Sequence, residues 1–381
     1  MDYLNLFQTY KQHALFGRYI PLAAVEQVAQ ELGLALCVKG HSVQNRPLYQ
    51  WEIGTGDFKV LLWSQMHGNE STTTKALFDF IAFLGSDEPW AKALCSHFRF
   101  CILPMVNPDG AEVYTRVNAN GVDLNRDAVA LTQPESRFLR EIFEVFQPDL
   151  AYNLHDQRTI FGAGDSGCPA TVSFLAPAYD EERSVNEIRT RAMQIIVAMN
   201  AQLQHHIPHQ VGRFDDAFNL NCIGDYFTHR GVPTILFEAG HYPHDYHREF
   251  TRKMIFIALL SGLKHLYEND VVGNENELYL QIPQNNIVFY DFIYKNIKID
   301  YDGKEKITNF AAQYREELID GKIHLNAYIS AVGDLEGKLG HYLFNAHKMP
   351  YSDGRENIPK IDEKADFCLG KSINFVNGVK I

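Results

Sequence analysis

The chain lacks the patterns that mark secreted, membrane-spanning or nucleic-acid-binding proteins. Its 381 residues contain six cysteines and no CxxC pair, which is too few for a disulfide scaffold and favours reduced thiols. No apolar run approaches the roughly 18 residues of a membrane-spanning helix. The N-terminal stretch lacks the basic start and apolar core of a signal peptide. We therefore expect a cytoplasmic protein without a membrane partner.

Positive charge is also scarce. The net charge is −12 and no run of lysine and arginine stands out, which argues against a nucleic-acid partner. Hydrophobic residues make up 46% of the chain, which is ample for a large core, and the length suggests two domains. These features do not predict an oligomeric state.

Strand-like and helix-like segments alternate through the first part of the chain. Continuous apolar runs predict buried strands, and amphipathic segments predict helices. The strands are predicted at 59–66, 98–106, 148–156 and 233–240, and the helices at 22–33, 71–84, 134–147, 180–203 and 247–269. This alternation predicts an α/β domain over residues 1–272, with a mixed, twisted central sheet and helices on both faces.

The pattern changes in the last quarter of the chain. Short alternating runs are separated by Asp-Gly and Asn-Gly pairs, which are typical of β-turns. The sequence therefore predicts a small β-rich C-terminal domain over residues 273–381.

Two candidate metal ligands follow the strand at 59–66. His67 and Glu70 stand three residues apart at the start of a helix, so both side chains can reach one point. The same pair is also compatible with a polar turn that leads into the helix. His155 ends another predicted strand and is a third candidate, although a hydrogen bond to Asp156 would explain it equally well. A His₂Glu set leaves one zinc position open, as in catalytic sites.

Glu238 closes the predicted strand "PTILFEAG". A carboxylate there is costly to bury without a partner or a task. Beside a metal site it is a candidate general base, and the alternative is a structural ion pair with an arginine.

The segment "NPDGAEVYTRVNANGVDLNRD" is rich in turn residues and carries Arg116, Asn125 and Arg126. Arginine forms bidentate pairs with carboxylates, and loops on a rigid scaffold often hold substrate contacts. Solvated loop arginines are the alternative interpretation.

These elements together resemble the zinc carboxypeptidase family of carboxypeptidase A type. "HGNE", "NPDG", "GVDLNRD", the strand-ending His155 and "LFEAG" occur in the family's order and rough spacing, over about residues 40–265. The resemblance implies one zinc per chain, and a peptide substrate with a free C-terminal carboxylate.

The resemblance also implies a role for each of these residues. His67, Glu70 and His155 would bind the zinc, and Glu238 would be the catalytic base. Arg116 would stabilise the oxyanion. The terminal carboxylate of the substrate would be bound by Asn125 and Arg126.

The chain departs from the family at two positions. Asn69 stands where the digestive enzymes have an arginine, and no tyrosine occupies the place of their mobile tyrosine, some twenty residues before Glu238. Arg213 lies in that region and is a candidate for a further carboxylate contact. Residues 223–225 fall near the family's specificity pocket, but no side-chain preference follows from them.

Three alternatives stay open at this stage. "HGNE" with "DLNR" and a β-rich C-terminal domain also resembles the succinylglutamate desuccinylase and aspartoacylase group, which deacylates N-acyl amino acids at a similar zinc site. A catalytically dead zinc-containing binding module is the second alternative. His241, His244 and His247 form a third, a rival metal set, although Pro243 argues against a continuous helix there.

Overall fold

The computed structural model describes residues 1–269, 276–301, 303–370 and 372–381. The chain forms two compact units, one comprising residues 1–157 and 163–285 and the other residues 158–162 and 286–381. The domain boundary predicted between residues 272 and 273 lies outside the described residues, so it stays a prediction. Each unit has its own hydrophobic core.

The first unit contains the helices and most of the short strands. The helices are α1 (Tyr3–Tyr10), α2 (Leu22–Glu31), α3 (Thr72–Leu84), α4 (Pro89–His97), α5 (Pro108–Glu112), α6 (Pro134–Phe146), α7 (Glu187–Leu203), α8 (Ile223–His229), α9 (Glu249–Glu268) and α10 (Asn276–Gln281), with a 3-10 turn at Leu124–Arg126. The strands are β1 (Val38–His41), β2 (Pro47–Tyr49), β3 (Trp51–Ile53), β4 (Phe58–Ser64), β5 (Phe98–Leu103), β6 (Leu150–Asp156), β8 (Val172–Leu175), β9 (Val211–Arg213) and β10 (Thr234–Ala239). The short strand β7 (Phe161–Ala163) falls at the division, since its first two residues belong to the second unit.

A seven-stranded sheet with the order β3-β5-β4-β6-β10-β8-β9 is the centre of this unit. The strands β5, β4, β6 and β10 run parallel, whereas β3 and β8 are antiparallel to their inner neighbours. The sheet is therefore mixed, as predicted.

Helices cover both faces of the sheet. In β4, Val60 and Leu62 pack into the core that contains α3 and α9, whereas Leu61 and Trp63 pack into the core that contains α6 and α8. Successive strand residues point to opposite faces, so a strand that is apolar throughout is buried on both sides. This explains why the continuous apolar runs predicted the central strands correctly.

The predicted helix at 180–203 begins later than expected. The helix α7 starts at Glu187, and the Asn186 side chain caps it by accepting a hydrogen bond from the Arg189 backbone N–H. Arg183, in the preceding segment, has a φ of 56°, which a helix does not allow. The prediction was wrong for residues 180–186 because Asn186 caps the N-terminus of the helix, which therefore begins only after it.

The second unit is β-rich, as predicted. Its strands are β11 (Asn285–Ile287), β12 (Phe289–Tyr301), β13 (Lys304–Ile319), β14 (Lys322–Gly333), β15 (Leu339–Asn345), β16 (Tyr351–Ser352), β17 (Phe367–Leu369), β18 (Ile373–Val376) and β19 (Val379–Lys380). The strands β12 to β19 form two four-stranded sheets, in the orders β14-β13-β12-β15 and β16-β17-β18-β19, and β11 lies outside both. Gly321 and Gly378 have positive φ in the tight turns after β13 and β18.

A buried ion pair joins α3, α9 and the N-terminal segment of the first unit. The Arg252 guanidinium donates to both carboxylate oxygens of Asp79 at 2.6 Å, and both side chains are fully buried. The same guanidinium donates to the carbonyl oxygens of Gln12 and Leu15. A charge pair of this kind holds the elements together but leaves a buried charge if one partner is removed.

We expect Arg252→Met to lower the free energy of unfolding by about 3–5 kcal/mol, since it leaves Asp79 buried and unpaired. Lys264→Gln on α9 is the matched control, because Lys264 pairs with Glu268 at the surface and such pairs contribute about 0–1 kcal/mol. Urea denaturation of both variants measures the difference. Equal losses in the two variants would contradict the assignment.

Candidate metal centre and active site

The "HGNE" segment lies in a tight loop between β4 and α3. Gln65 has a φ of 48°, which ends the strand and turns the chain. Its side-chain amide donates to the carbonyl oxygens of Ile20 and Gly68, both at 3.0 Å. The loop is thereby anchored at its base, and His67 and Glu70 are both buried.

The "NPDG" turn supports this loop from the side. A Cβ atom on Gly68 would lie 2.0 Å from the backbone of Gly110, so the two turns are in direct contact and position 68 requires glycine. The Asn107 amide donates to the Met66 carbonyl oxygen, and its Oδ1 accepts from the Gly110 N–H. The motif that the sequence marked only as a turn is therefore the support of the first two candidate ligands.

The three candidate ligands converge on one point. The Nδ1 atoms of His67 and His155 lie 3.1 Å apart, and each lies 2.8–2.9 Å from an oxygen of Glu70. In a tetrahedral zinc site with bond lengths of about 2.0–2.1 Å, neighbouring ligand atoms are about 3.3 Å apart. The donor types and their spacing therefore fit a zinc ion with little rearrangement.

No other such group occurs among the described residues. Within the described ranges, His67, Glu70 and His155 are the one set of three or more metal-ligating side chains whose donor atoms lie close together. The rival histidine set is therefore wrong as a metal cluster: His241 is buried and its ring packs against Tyr246.

Asp123 orients the first histidine from behind. Its Oδ1 lies 2.9 Å from Nε2 of His67, the nitrogen that does not face Glu70. Burial raises the pKa of Asp123, but the hydrogen bond and charge of His67 and the charge of Arg116 outweigh it and hold that pKa well below its usual range. A carboxylate of this kind fixes the tautomer of a ligating histidine. Asp123 is the first acid of the "GVDLNRD" motif, but the sequence alone did not single it out as a functional residue.

Glu238 lies next to the candidate ligands. The parallel register of β6 and β10 pairs Glu238 with His155, so the two residues lie side by side at the carboxyl ends of their strands. Its Oε2 is buried and has no hydrogen-bond partner among the described residues, and it forms no ion pair with them. The alternative interpretation as a structural ion pair is not supported. Burial, together with the charges of Glu70 and Asp156, raises the pKa of Glu238 well above its usual range.

Arg116 is also brought to this point. Its Nη1 donates to Glu70 Oε1 and its Nε to Asp123 Oδ2, both at 3.1 Å. The side chain remains about half exposed, at 47%. One edge of the guanidinium is therefore held by the site, and the rest faces solvent.

Asn125 and Arg126 lie on the 3-10 turn beside the site. The Oδ1 of Asn125 accepts from the Ile223 N–H at 3.0 Å, so its amide N–H groups point elsewhere. Arg126 is exposed, and its guanidinium donates to the Asn125 carbonyl oxygen at 2.7 Å. The amide N–H groups of Asn125 and the guanidinium of Arg126 therefore have no carboxylate partner among the described residues.

Arg213 is not brought into this group. Its guanidinium lies 5.4 Å from the centre of the Tyr279 ring, and its Nε donates to the Ile282 carbonyl oxygen at 3.4 Å. These contacts belong to the packing of α10. The substrate contact expected for Arg213 stays a prediction.

The fold and the site define an α/β protein with a candidate mononuclear His₂Glu metal centre. Residues 26–191 match the profile of the zinc carboxypeptidase family, a span that covers less than half of the chain. The resemblance that the sequence predicted is thereby confirmed.

The relatives that the chain matches are carboxypeptidases. A stretch of 100 residues is 32% identical to a probable carboxypeptidase 2 of Arthroderma benhamiae and covers 26% of this chain and 19% of that protein. The chain therefore spans about a fifth of the length of this curated relative.

Solved structures show the same fold. A metallo-carboxypeptidase of Burkholderia cenocepacia has a TM-score of 0.52 at 20% identity, over 64% of this chain and 68% of that one. A metallo-carboxypeptidase of Pseudomonas aeruginosa, in complex with (2-guanidinoethylmercapto)succinic acid, has a TM-score of 0.52 at 17% identity, over the same shares. At such identities the likeness concerns the fold, and it confirms the predicted fold class.

The burial of Glu238 predicts a pH-dependent stability difference in the metal-free protein. Because its pKa is raised on folding, the native state keeps a proton that the unfolded chain releases above about pH 4.3. The free energy of unfolding of the wild type therefore falls as the pH rises above that value. A glutamine at position 238 does not titrate and adds no such pH dependence.

We expect Glu238→Gln to be stabilised relative to the wild type, by an amount that grows as the pH rises above about 4.3. Urea denaturation of both proteins in the presence of a chelator measures the difference at each pH. A difference that shrinks as the pH rises would show that the buried carboxyl is stabilised in its charged form.

Proposed function

We propose that the protein is a zinc-dependent metallocarboxypeptidase that hydrolyses the amide bond next to a free C-terminal carboxylate. One observation carries the proposal: the two histidine nitrogens and the Glu70 carboxylate lie within 3.1 Å of their neighbours, beside Glu238, whose buried Oε2 has no hydrogen-bond partner in the described part of the chain. The carboxypeptidase names of the relatives support the same activity.

His67, Glu70 and His155 would hold the metal. Zinc in such a site supplies Lewis acidity, which polarises an amide carbonyl and acidifies a water molecule. Asp123 would contribute as well, since its hydrogen bond holds the ring of His67 in one orientation.

Glu238 would carry the proton transfer. A carboxylate with a raised pKa is a stronger base than an ordinary solvated one, and it can accept a proton from water and later deliver it to the leaving nitrogen. Oε2, which is buried and has no hydrogen-bond partner among the residues that the structure describes, is the atom that would exchange this proton.

Three further side chains would bind the substrate. Arg116 stands with a half-exposed guanidinium beside the donors, where negative charge develops on the carbonyl oxygen during attack. Asn125 and Arg126 would hold the terminal carboxylate and so fix the position of the bond to be cut. The substrate is therefore a peptide with a free C-terminus, and the cytoplasmic location stays a prediction.

The primary test is hydrolysis by the zinc-loaded protein. We expect release of the C-terminal residue from short peptides, loss of activity on chelation, and recovery when about one equivalent of zinc is added. N-acyl amino acids are offered in the same assay. Turnover of those compounds alone would support the deacylase alternative, and full activity without metal would remove the zinc assignment.

We expect Glu238→Gln to lower kcat by about 10²–10⁴-fold, because it removes the proton acceptor but not the metal ligands. The zinc content, measured by elemental analysis, should stay at the wild-type level. Glu144→Gln on the exposed side of α6 is the matched control and should keep full activity. Unchanged turnover by Glu238→Gln would show that another group is the base.

We expect Arg126→Gln to raise KM for free peptides and to reduce the preference for a free terminus over a C-terminal amide. The physical reason is that a guanidinium binds a carboxylate as a bidentate, charged pair, whereas it gains far less from a neutral amide. Steady-state kinetics on matched acid and amide peptides measures this. A wild-type enzyme that cleaves both equally would contradict the carboxylate-binding role of Asn125 and Arg126.

A further inference from the structure

Helix α3 begins directly after the ligand Glu70, but it has no cap of its own. Ser71 occupies the N-cap position, yet its side chain makes no capping hydrogen bond. Its hydroxyl donates instead to the Arg18 carbonyl oxygen. The first N–H groups of a helix need partners when they are buried, so another group must supply them.

Asp156 supplies these partners from another strand. Its Oδ2 accepts from the Thr72 N–H at 2.9 Å, and its Oδ1 accepts from the Thr73 N–H at 3.2 Å. The backbone N–H of the same residue donates to Glu70 Oε2 at 3.1 Å. A single residue thus bonds both the start of α3 and the ligand that precedes it.

Asp156 lies beside one candidate ligand in the chain and bonds to the segment that carries the other two. Asp156 is the last residue of β6 and directly follows the ligand His155. Its hydrogen bonds therefore join the end of the strand that carries one ligand to the start of the helix that follows the other two. The three ligands come from two segments, with Glu70 and His155 85 residues apart along the chain, and Asp156 bonds one segment to the other.

The surroundings of the Asp156 side chain act in both directions. The N-terminus of α3 carries a partial positive charge, but the side chain is buried, at 6% exposure. Burial is the largest effect and raises the pKa of Asp156, and the positive charges of Arg18 and Arg248 oppose that shift only in part. Both arginines lie outside the span that matches the zinc carboxypeptidase profile.

We infer that Asp156 is a positioning residue of the metal centre, which holds Glu70 and His155 at their mutual distance by bonding β6 to the start of α3. The inference rests on the proposed zinc site. Without the carboxylate, two buried N–H groups lose their acceptors, and the start of α3 is no longer bonded to the end of β6, although β4 and β6 remain paired. Outer partners of this kind commonly contribute 10–100-fold to metal affinity.

The experiment compares zinc affinity with stability in matched variants. We expect Asp156→Ala to weaken zinc binding by about 10–100-fold, measured by competition with a chelating dye, while circular dichroism shows a folded protein. Asp156→Asn keeps one acceptor oxygen and should weaken binding less. It also serves as the test if the alanine variant does not fold.

Asp79→Asn is the control for a purely structural role. Asp79 is also a buried acid of α3, but it pairs with Arg252 and not with a ligand, so its loss should lower the melting temperature and leave zinc affinity unchanged. Wild-type zinc affinity in both Asp156 variants, with a melting temperature lowered as in Asp79→Asn, would overturn the inference. Zinc-binding wild-type protein that cleaves no peptide would instead overturn the proposed function and leave this inference standing.

Discussion

The parallel register of β6 and β10 is the constraint on which the site depends. It pairs His155 with Glu238 at one edge of the sheet, so a ligand and the candidate base stand side by side without any loop to place them. The neighbouring strand β4 ends at the same edge and delivers the "HGNE" loop. Parallel strands bring their carboxyl ends together, which is why open α/β sheets gather their sites there.

The site concentrates acids around two histidines. Glu70 and Asp123 contact the imidazoles, Glu238 lies next to them, and Asp156 binds helix amides instead. Each carboxylate thus has a different set of partners. Those differences hold the pKa of Glu70 and Asp123 low and raise that of Glu238. A metal ligand, an orienting group and a base can therefore be built from the same chemical group.

Much of this could be predicted because the signals are local. A buried strand that ends near a polar residue, such as Glu238 or His155, is visible in the sequence as an apolar run followed by a titratable residue. Gly68 and the "NPDG" turn are also visible as local sequence signals, but the direct contact between them is not. Asp123 and Asp156 were missed as supporting residues because their partners, His67 and the start of α3, lie 56 and 84 residues away.

The sequence by itself determined the fold class and singled out the three candidate ligands, the candidate base and the arginine loop, because each depends on periodicity or on a short motif. The resemblance to a known family implied a role for each of those residues. Only the tertiary structure decided which side chains converge. It separated Arg116, which reaches Glu70, from Arg213, which packs on Tyr279. It also assigned the capping of α3 to Asp156 rather than to Ser71. Such choices depend on strand register and on buried hydrogen bonds between distant segments, and neither leaves a local mark in the sequence.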